Sequence, residues 1–195
     1  MGAKMRKLDY YVAVSLDGYI AGPQGEFDFF PMGEDALAWI GVHYPETVPT
    51  HVRRLGGMPL DTPNKTWDTV LMGRGAYEPG LEAGVISPYD HLKQYVFSRT
   101  LAPVDNPQVE IVDTDPVELV RQLKKQAGLD IWLCGGGNLA GQLIGEIDRM
   151  IIKSYPVIAG DGVRAFAGTF EPTRFTLTGR EELGDGAQVC WFDRA

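Results

Sequence analysis

Apolar residues in this chain fall in short runs separated by polar, glycine- and proline-bearing stretches. Eight of the runs predict strands: Leu8 to Val14, Thr69 to Met72, Gln94 to Phe97, Val109 to Val112, Ile131 to Cys134, Arg149 to Val157, Phe175 to Glu182 and Gln188 to Phe192. They are rich in Val, Ile, Tyr, Phe and Trp, side chains that suit a pleated, half-buried surface. Elsewhere the period changes. Val117, Val120, Leu123 and Ala127 recur at helical spacing behind Asp115 as N-cap, Pro116 at the first helical position and Glu118 completing a capping box, and Gly128 ends the stripe. A second helix is expected from Gly137 and Asn138 through Leu139, Leu143 and Ile144. A short helical piece over Asp35 to Ile40 lies within the long excursion Phe27 to Asn64, a length typical of functional or interface-forming segments.

Strands alternating with helices, with no repeat or linker, predict one α/β domain over residues 1–195, its central sheet flanked by helices. The last two runs flank Gly184, Asp185 and Gly186, which suit the positive φ of a tight hairpin. The sheet is therefore expected to be mixed, of about eight strands, with a C-terminal antiparallel hairpin.

Composition narrows the partners. Asp and Glu outnumber Lys and Arg by 26 to 18, a net charge of -8 that argues against nucleic acid while leaving room for a local basic pocket. With 44% hydrophobic residues, disorder is not the theme. No apolar run approaches the roughly 18 residues of a membrane span. Lys4, Arg6 and Lys7 lead into Asp9 instead of an apolar signal core, so the expected location is cytoplasmic, away from membranes. Cys134 and Cys190 sit in apolar runs and are expected as buried thiols. His43, His51 and His91 lack ligand spacing, so no metal site is expected.

Four constellations carry possible chemistry. Gly135, Gly136 and Gly137, followed by Asn138 and Leu139, stand between a strand and a helix, where bare backbone and first-turn N–H groups can cradle a diphosphate. A tight strand-to-helix connection would need the same glycines, and the GxGxxG spacing is absent. Gly73 and Arg74 follow another strand, where the arginine can grip a phosphate or simply be solvated. Ser98 and Arg99, before Thr100, end a third strand with the hydroxyl and guanidinium that suit a phosphate monoester. Asp17, in Ser15-Leu16-Asp17-Gly18, shapes a turn or contacts a ligand. Ligands in open α/β sheets gather outside the carboxyl ends of strands, which is where the three bearing glycines, arginines and hydroxyls are expected.

In this order and spacing, together with Asp148 and Ala159-Gly160-Asp161-Gly162, these motifs resemble the dihydrofolate reductase fold. More closely they are similar to bacterial proteins like the reductase domain of the riboflavin-biosynthesis deaminase-reductase. The resemblance implies NADPH as cofactor, with Gly135, Gly136, Gly137, Asn138 and Leu139 at the diphosphate and Gly73, Arg74, Ser98 and Arg99 around the adenosine phosphates. It also implies Ala13 and Ile20 beside the nicotinamide. Asp17 then corresponds to the catalytic acid and Asp35, in the helix after the first strand, to a substrate-binding carboxylate that competes with a plain helix first-turn role. The implied activity is hydride transfer to a small heterocyclic, pyrimidine- or pterin-like substrate, by a homodimer. A non-catalytic nicotinamide-nucleotide-binding or sensing protein on the same fold is the alternative.

Overall fold

In the computed structural model, which describes residues 5–184 and 186–195, the long apolar runs stack side by side. The elements are β1 (Leu8–Val14), β2 (Tyr19–Ala21), α1 (Glu34–His43), a 3-10 turn (Pro45–Thr47), α2 (Thr50–Gly56), β3 (Trp67–Gly73), α3 (Arg74–Glu82), β4 (Lys93–Phe97) and β5 (Val109–Val112). They continue with α4 (Pro116–Lys124), β6 (Asp130–Cys134), α5 (Gly137–Gln142), β7 (Arg149–Ser154), β8 (Val163–Arg164), β9 (Phe175–Glu182) and β10 (Gln188–Arg194). The main sheet has eight strands in the order β5-β4-β3-β6-β1-β7-β10-β9. Its first six are parallel, and the β9–β10 hairpin joins antiparallel through β10, as expected of a mixed sheet. The hairpin residue Asp185 and the N-terminal Lys4 lie outside the described residues.

Several boundaries move for local reasons. β7 stops at Ser154 instead of Val157: Tyr155 still bonds to the Val14 carbonyl, but Pro156 has no N–H to continue the ladder. On α4 the Asp115 carboxylate takes the Val117 N–H at 2.8 Å, so the capping box with Glu118 is not formed. That helix ends at Lys124, where the following N–H groups turn to carbonyls three residues back. α5 likewise ends at Gln142, before Leu143 and Ile144. β2 and β8 are too short to show a period, yet they pair with each other as a separate two-stranded ribbon.

The sheet buries both faces. On the first, Tyr11, Trp132, Ile151 and Val189 pack with Trp39 and Ile40 of α1 and Tyr77 of α3. On the second, Tyr10, Val12, Leu71 and Leu133 pack with Val120 and Leu123 of α4 and Leu139 and Leu143 beyond β6. Alternation along each strand assigns residues to these faces, and this decides which side chains can reach a ligand.

Candidate functional site

The parallel order sets the carboxyl ends of β4, β3, β6, β1 and β7 in one row. Ser98 and Arg99, Gly73 and Arg74, Gly135 to Gly137, and Ser15 to Asp17 therefore share one edge of the sheet. On the first face, Tyr11 and Trp132 are each only 4% exposed. Two positions further along the same inner strands, Ala13 and Cys134 are half-buried. An inner strand gains exposure where its covering layer thins, so this face is more open at the carboxyl edge than at the sheet centre.

The three glycines divide by role. Gly135 and Gly136 have φ of 61° and 71°, the left-handed conformation that favours glycine, and a Cβ on Gly136 would lie 3.7 Å from the Gly73 nitrogen at the start of α3. Their bare backbone stands at the carboxyl edge, close against the start of α3. Gly137 serves packing: a Cβ there would sit 1.9 Å from the Arg164 carbonyl oxygen, and its own carbonyl accepts the Ala167 N–H at 3.0 Å. Leu139 is 4% exposed and belongs to the second-face core, so only its backbone is available to a ligand. Asn138 is exposed, and its side-chain oxygen accepts from the Gln142 amide at 2.6 Å.

The neighbouring cations differ in freedom. Arg74 holds the Glu78 carboxylate, one turn along α3, and donates to the Thr100 hydroxyl at 2.9 Å. A phosphate there would have to share this guanidinium with Glu78. Arg99 is exposed and has no ion pair among the described residues. The Ser98 hydroxyl oxygen accepts the N–H groups of Thr100 and Leu101 at 3.2 and 3.0 Å, which shapes the strand end.

Asp17 is a clip. Its Oδ1 accepts from the Ser15 hydroxyl at 2.6 Å and the Ala159 N–H at 3.0 Å, while Oδ2 accepts the Gly160 N–H at 2.7 Å. The Ser15 hydrogen bond and these N–H donors hold its carboxyl down at about 2. At neutral pH it is an anchored carboxylate with no proton to give. Asp35, exposed in the first turn of α1, lies against the C-terminal hairpin: a Cβ on Gly184 would meet its Oδ2 at 2.0 Å. Ala13 and Ile20, expected on either side of one ring, pack on opposite faces of the sheet, Ala13 on the first and Ile20 on the second. The parallel order thus sets the phosphate-side residues and Ala13 along one edge of the sheet, the β9–β10 turn brings Asp35 to that same edge, and Ile20 packs on the second face.

One inward charge was missed. Lys153 on β7 is 7% exposed, and its ammonium lies 4.2 Å from the centre of the Tyr11 ring. Burial pulls it down to about 8. The available signal was alternation, because Lys153 is in phase with the buried Ile151 and not with Ile152. On the same face the Cys134 thiol, partnered by Tyr89, is pushed by burial up to about 12. Among the described residues no group of three or more His, Cys, Asp or Glu is arranged to hold a metal, and no helix is long and apolar enough to cross a membrane.

Comparison with known proteins supplies a family. Two proteins of Bacillus subtilis strain 168, both named as uncharacterized, align along most of their length. YwjB is 28% identical over 186 residues, covering 94% of this chain and 96% of its own, and YyaP is 32% identical over 176 residues, covering 84% and 81%. Among solved structures, a putative riboflavin biosynthesis protein from Shewanella sp. PV-4 has the same fold, with a TM-score of 0.68, 23% identity and coverage of 97% of this chain and 99% of that one. A Thermotoga maritima diaminohydroxyphosphoribosylaminopyrimidine deaminase/5-amino-6-(5-phosphoribosylamino)uracil reductase matches with a TM-score of 0.66 and 16% identity, over 98% of this chain and 57% of its own. The family model for the RibD C-terminal domain matches residues 6–189. The chain therefore belongs to the RibD C-terminal domain family.

Proposed function

We propose that this protein is an NADPH-dependent reductase that transfers hydride to a small heterocyclic acceptor of the pyrimidine or pterin class. The observation that carries the reading is one sheet edge on which two positive-φ glycines, Arg74 and Arg99 stand at neighbouring strand ends, to one side of the partly exposed Ala13. Gly135 and Gly136 would hold the diphosphate against the start of α3, where N–H groups lack intrahelical partners. Arg99, with Ser98 and Thr100 beside it, would meet a ribose phosphate. When bound, the dihydronicotinamide supplies the hydride, and the protein contributes position and electrostatics. Asp17 serves this arrangement by tying the end of β1 to the turn at Ala159 and Gly160.

The anchored state of Asp17 also favours a second reading, a nucleotide-binding or sensing protein without turnover, because the acid expected to deliver a proton holds none. Fluorescence titration with NADPH, followed by NADPH oxidation with pyrimidine and pterin acceptors, separates the two. The reductase reading expects binding and turnover; binding without turnover across both classes supports the sensor. No affinity for NADPH or NADH refutes both. Arg99→Ala is expected to weaken NADPH binding by about 1–3 kcal/mol, the cost of losing a charge-assisted contact, and NADH binding by much less. Equal losses for the two nucleotides would move Arg99 away from the ribose phosphate.

A further inference from the structure

A buried ammonium without an anion is an unusual thing to keep in a sheet centre. The pairing of β7 with β1 sets Lys153 beside Ala13, and its pairing with β10 sets it beside Val189. From there the side chain reaches over Tyr11, whose ring face steadies the cation. Among the described residues no hydrogen bond or ion pair reaches its Nζ. Lys124, buried to a similar degree at 9% exposed, has Asp148 at 2.7 Å and Glu146 at 3.6 Å. The groups facing Lys153 are the Tyr11 ring from β1 and, from β6, the Cys134 thiol, whose partner is Tyr89. Cys134 and Tyr89 are both shifted upward by burial and stay neutral near pH 7. Among the described residues no counter-charge competes for this ammonium.

We propose that Lys153 is the proton donor of the site, contacting the heteroatom of an acceptor's C=O or C=N bond. This rests on the reductase reading, and it fills the role that Asp17 cannot. In the step, the C–H bond of the dihydronicotinamide breaks and hydride, with its electron pair, forms a new C–H bond at the acceptor carbon. The π pair of the acceptor moves to its oxygen or nitrogen, which takes a proton from the Lys153 ammonium. The nicotinamide is oxidised, the acceptor is reduced by two electrons, and the neutral amine regains its proton from solvent. With its pKa lowered to about 8 by burial, the ammonium is a better acid than an ordinary lysine while remaining charged at neutral pH.

The test is NMR of protein carrying ¹³C at lysine Cε, with Lys153→Arg assigning the signal, first free, then with NADP⁺, then with uracil or pterin added. The expected result is a Lys153 signal that titrates near 8 in the free protein and moves when uracil or pterin joins the NADP⁺ complex. If NADP⁺ shifts the Gly135 and Gly136 amides but neither heterocycle moves Lys153, the proton-donor proposal falls and the cofactor reading stands. If NADP⁺ shifts nothing, the reductase reading falls and takes this step with it. In NADPH oxidation with an accepted heterocycle, Lys153→Met should lower kcat by about a hundredfold while leaving the KM for NADPH within about twofold. Lys153→Arg, which keeps the charge, should retain acceptor binding. Unchanged kcat in Lys153→Met would overturn the proposal.

Discussion

The two edges of the central sheet treat charge in opposite ways. At the amino edge, Arg6 pairs with Asp68, Arg149 with the buried Asp9, and Lys124 with Asp148 and Glu146. Trp67 adds its indole N–H to Asp9 at 2.8 Å. Toward the carboxyl edge Arg74 is paired with Glu78, but Arg99 there and Lys153, reaching inward from the end of β7, have no carboxylate partner among the described residues, and Asp17 takes only N–H and O–H donors. Burying a charge is tolerable where geometry supplies the opposite charge. The amino edge is therefore a finished structure, whereas the carboxyl edge leaves Arg99 without an opposite charge among the described residues, as the proposed phosphate contact requires.

Substitutions can break this contrast. Asp9→Ala strands the Arg149 guanidinium and should destabilise the fold by about 3–5 kcal/mol in urea titration; a loss under about 1 kcal/mol would show that the amino-edge pairing is incidental. Lys153→Met should do the reverse and stabilise the protein at neutral pH by about 1–3 kcal/mol, because an uncompensated charge leaves the interior. The sign follows from linkage. Lys153 is depressed from 10.5 to about 8, so the unfolded chain binds more protons between these values. Its penalty is full below pH 8 and fades as pH rises toward 10.5, so the stability difference between wild type and Lys153→Met should shrink over that window. A constant difference would remove the buried charge from the explanation. Gly136→Ala puts a side chain at positive φ and should cost about 1–2 kcal/mol, with a further loss of NADPH affinity. The smallest effect is expected for Asp17→Asn. Asp17 is held at about 2 against an ordinary value of 3.8, so its contribution is complete above pH 4 and disappears as pH falls toward 2. The variant should flatten that acid limb in thermal melts between pH 4 and 2, and an unaltered limb would contradict the clip.

Much of this architecture was legible because long strands advertise themselves. The run Leu-Asp-Tyr-Tyr-Val-Ala-Val of β1 could hardly be anything else, and Asp115-Pro116 marked α4 correctly. The motifs at strand ends fall on one edge of the sheet, because that edge follows from parallel order once the strands are known. What resisted was whatever depends on distant partners. Nothing near Gly137 in the sequence shows that the carbonyl of Arg164 packs against it and requires glycine there. For Asp17 the sequence leaves a turn role and a ligand contact both open, because its acceptor partners Ala159 and Gly160 lie far along the chain. Lys153 was overlooked since a lysine in a strand normally faces water, and only the opposing ring of Tyr11 shows otherwise. Ile20 was placed beside Ala13 by resemblance, but β2 departs from the main sheet and turns it to the other face.

The position of β1 between β6 and β7 also sets an order of events during synthesis. The first strand of the sheet to leave the ribosome finds both its neighbours among residues 130–154, so it stays unpaired until most of the chain has emerged. At ordinary elongation rates that interval is on the order of ten seconds. β3, β4 and β5 are free to pair among themselves in the meantime, and only β6 can bridge β3 on one side and β1 on the other. Sequence-distant pairing of this kind makes for slow folding, with the apolar β1 exposed to chaperones or to other chains for the whole wait. The carboxyl edge around Ala13 of β1 is consequently among the last parts of the molecule to exist.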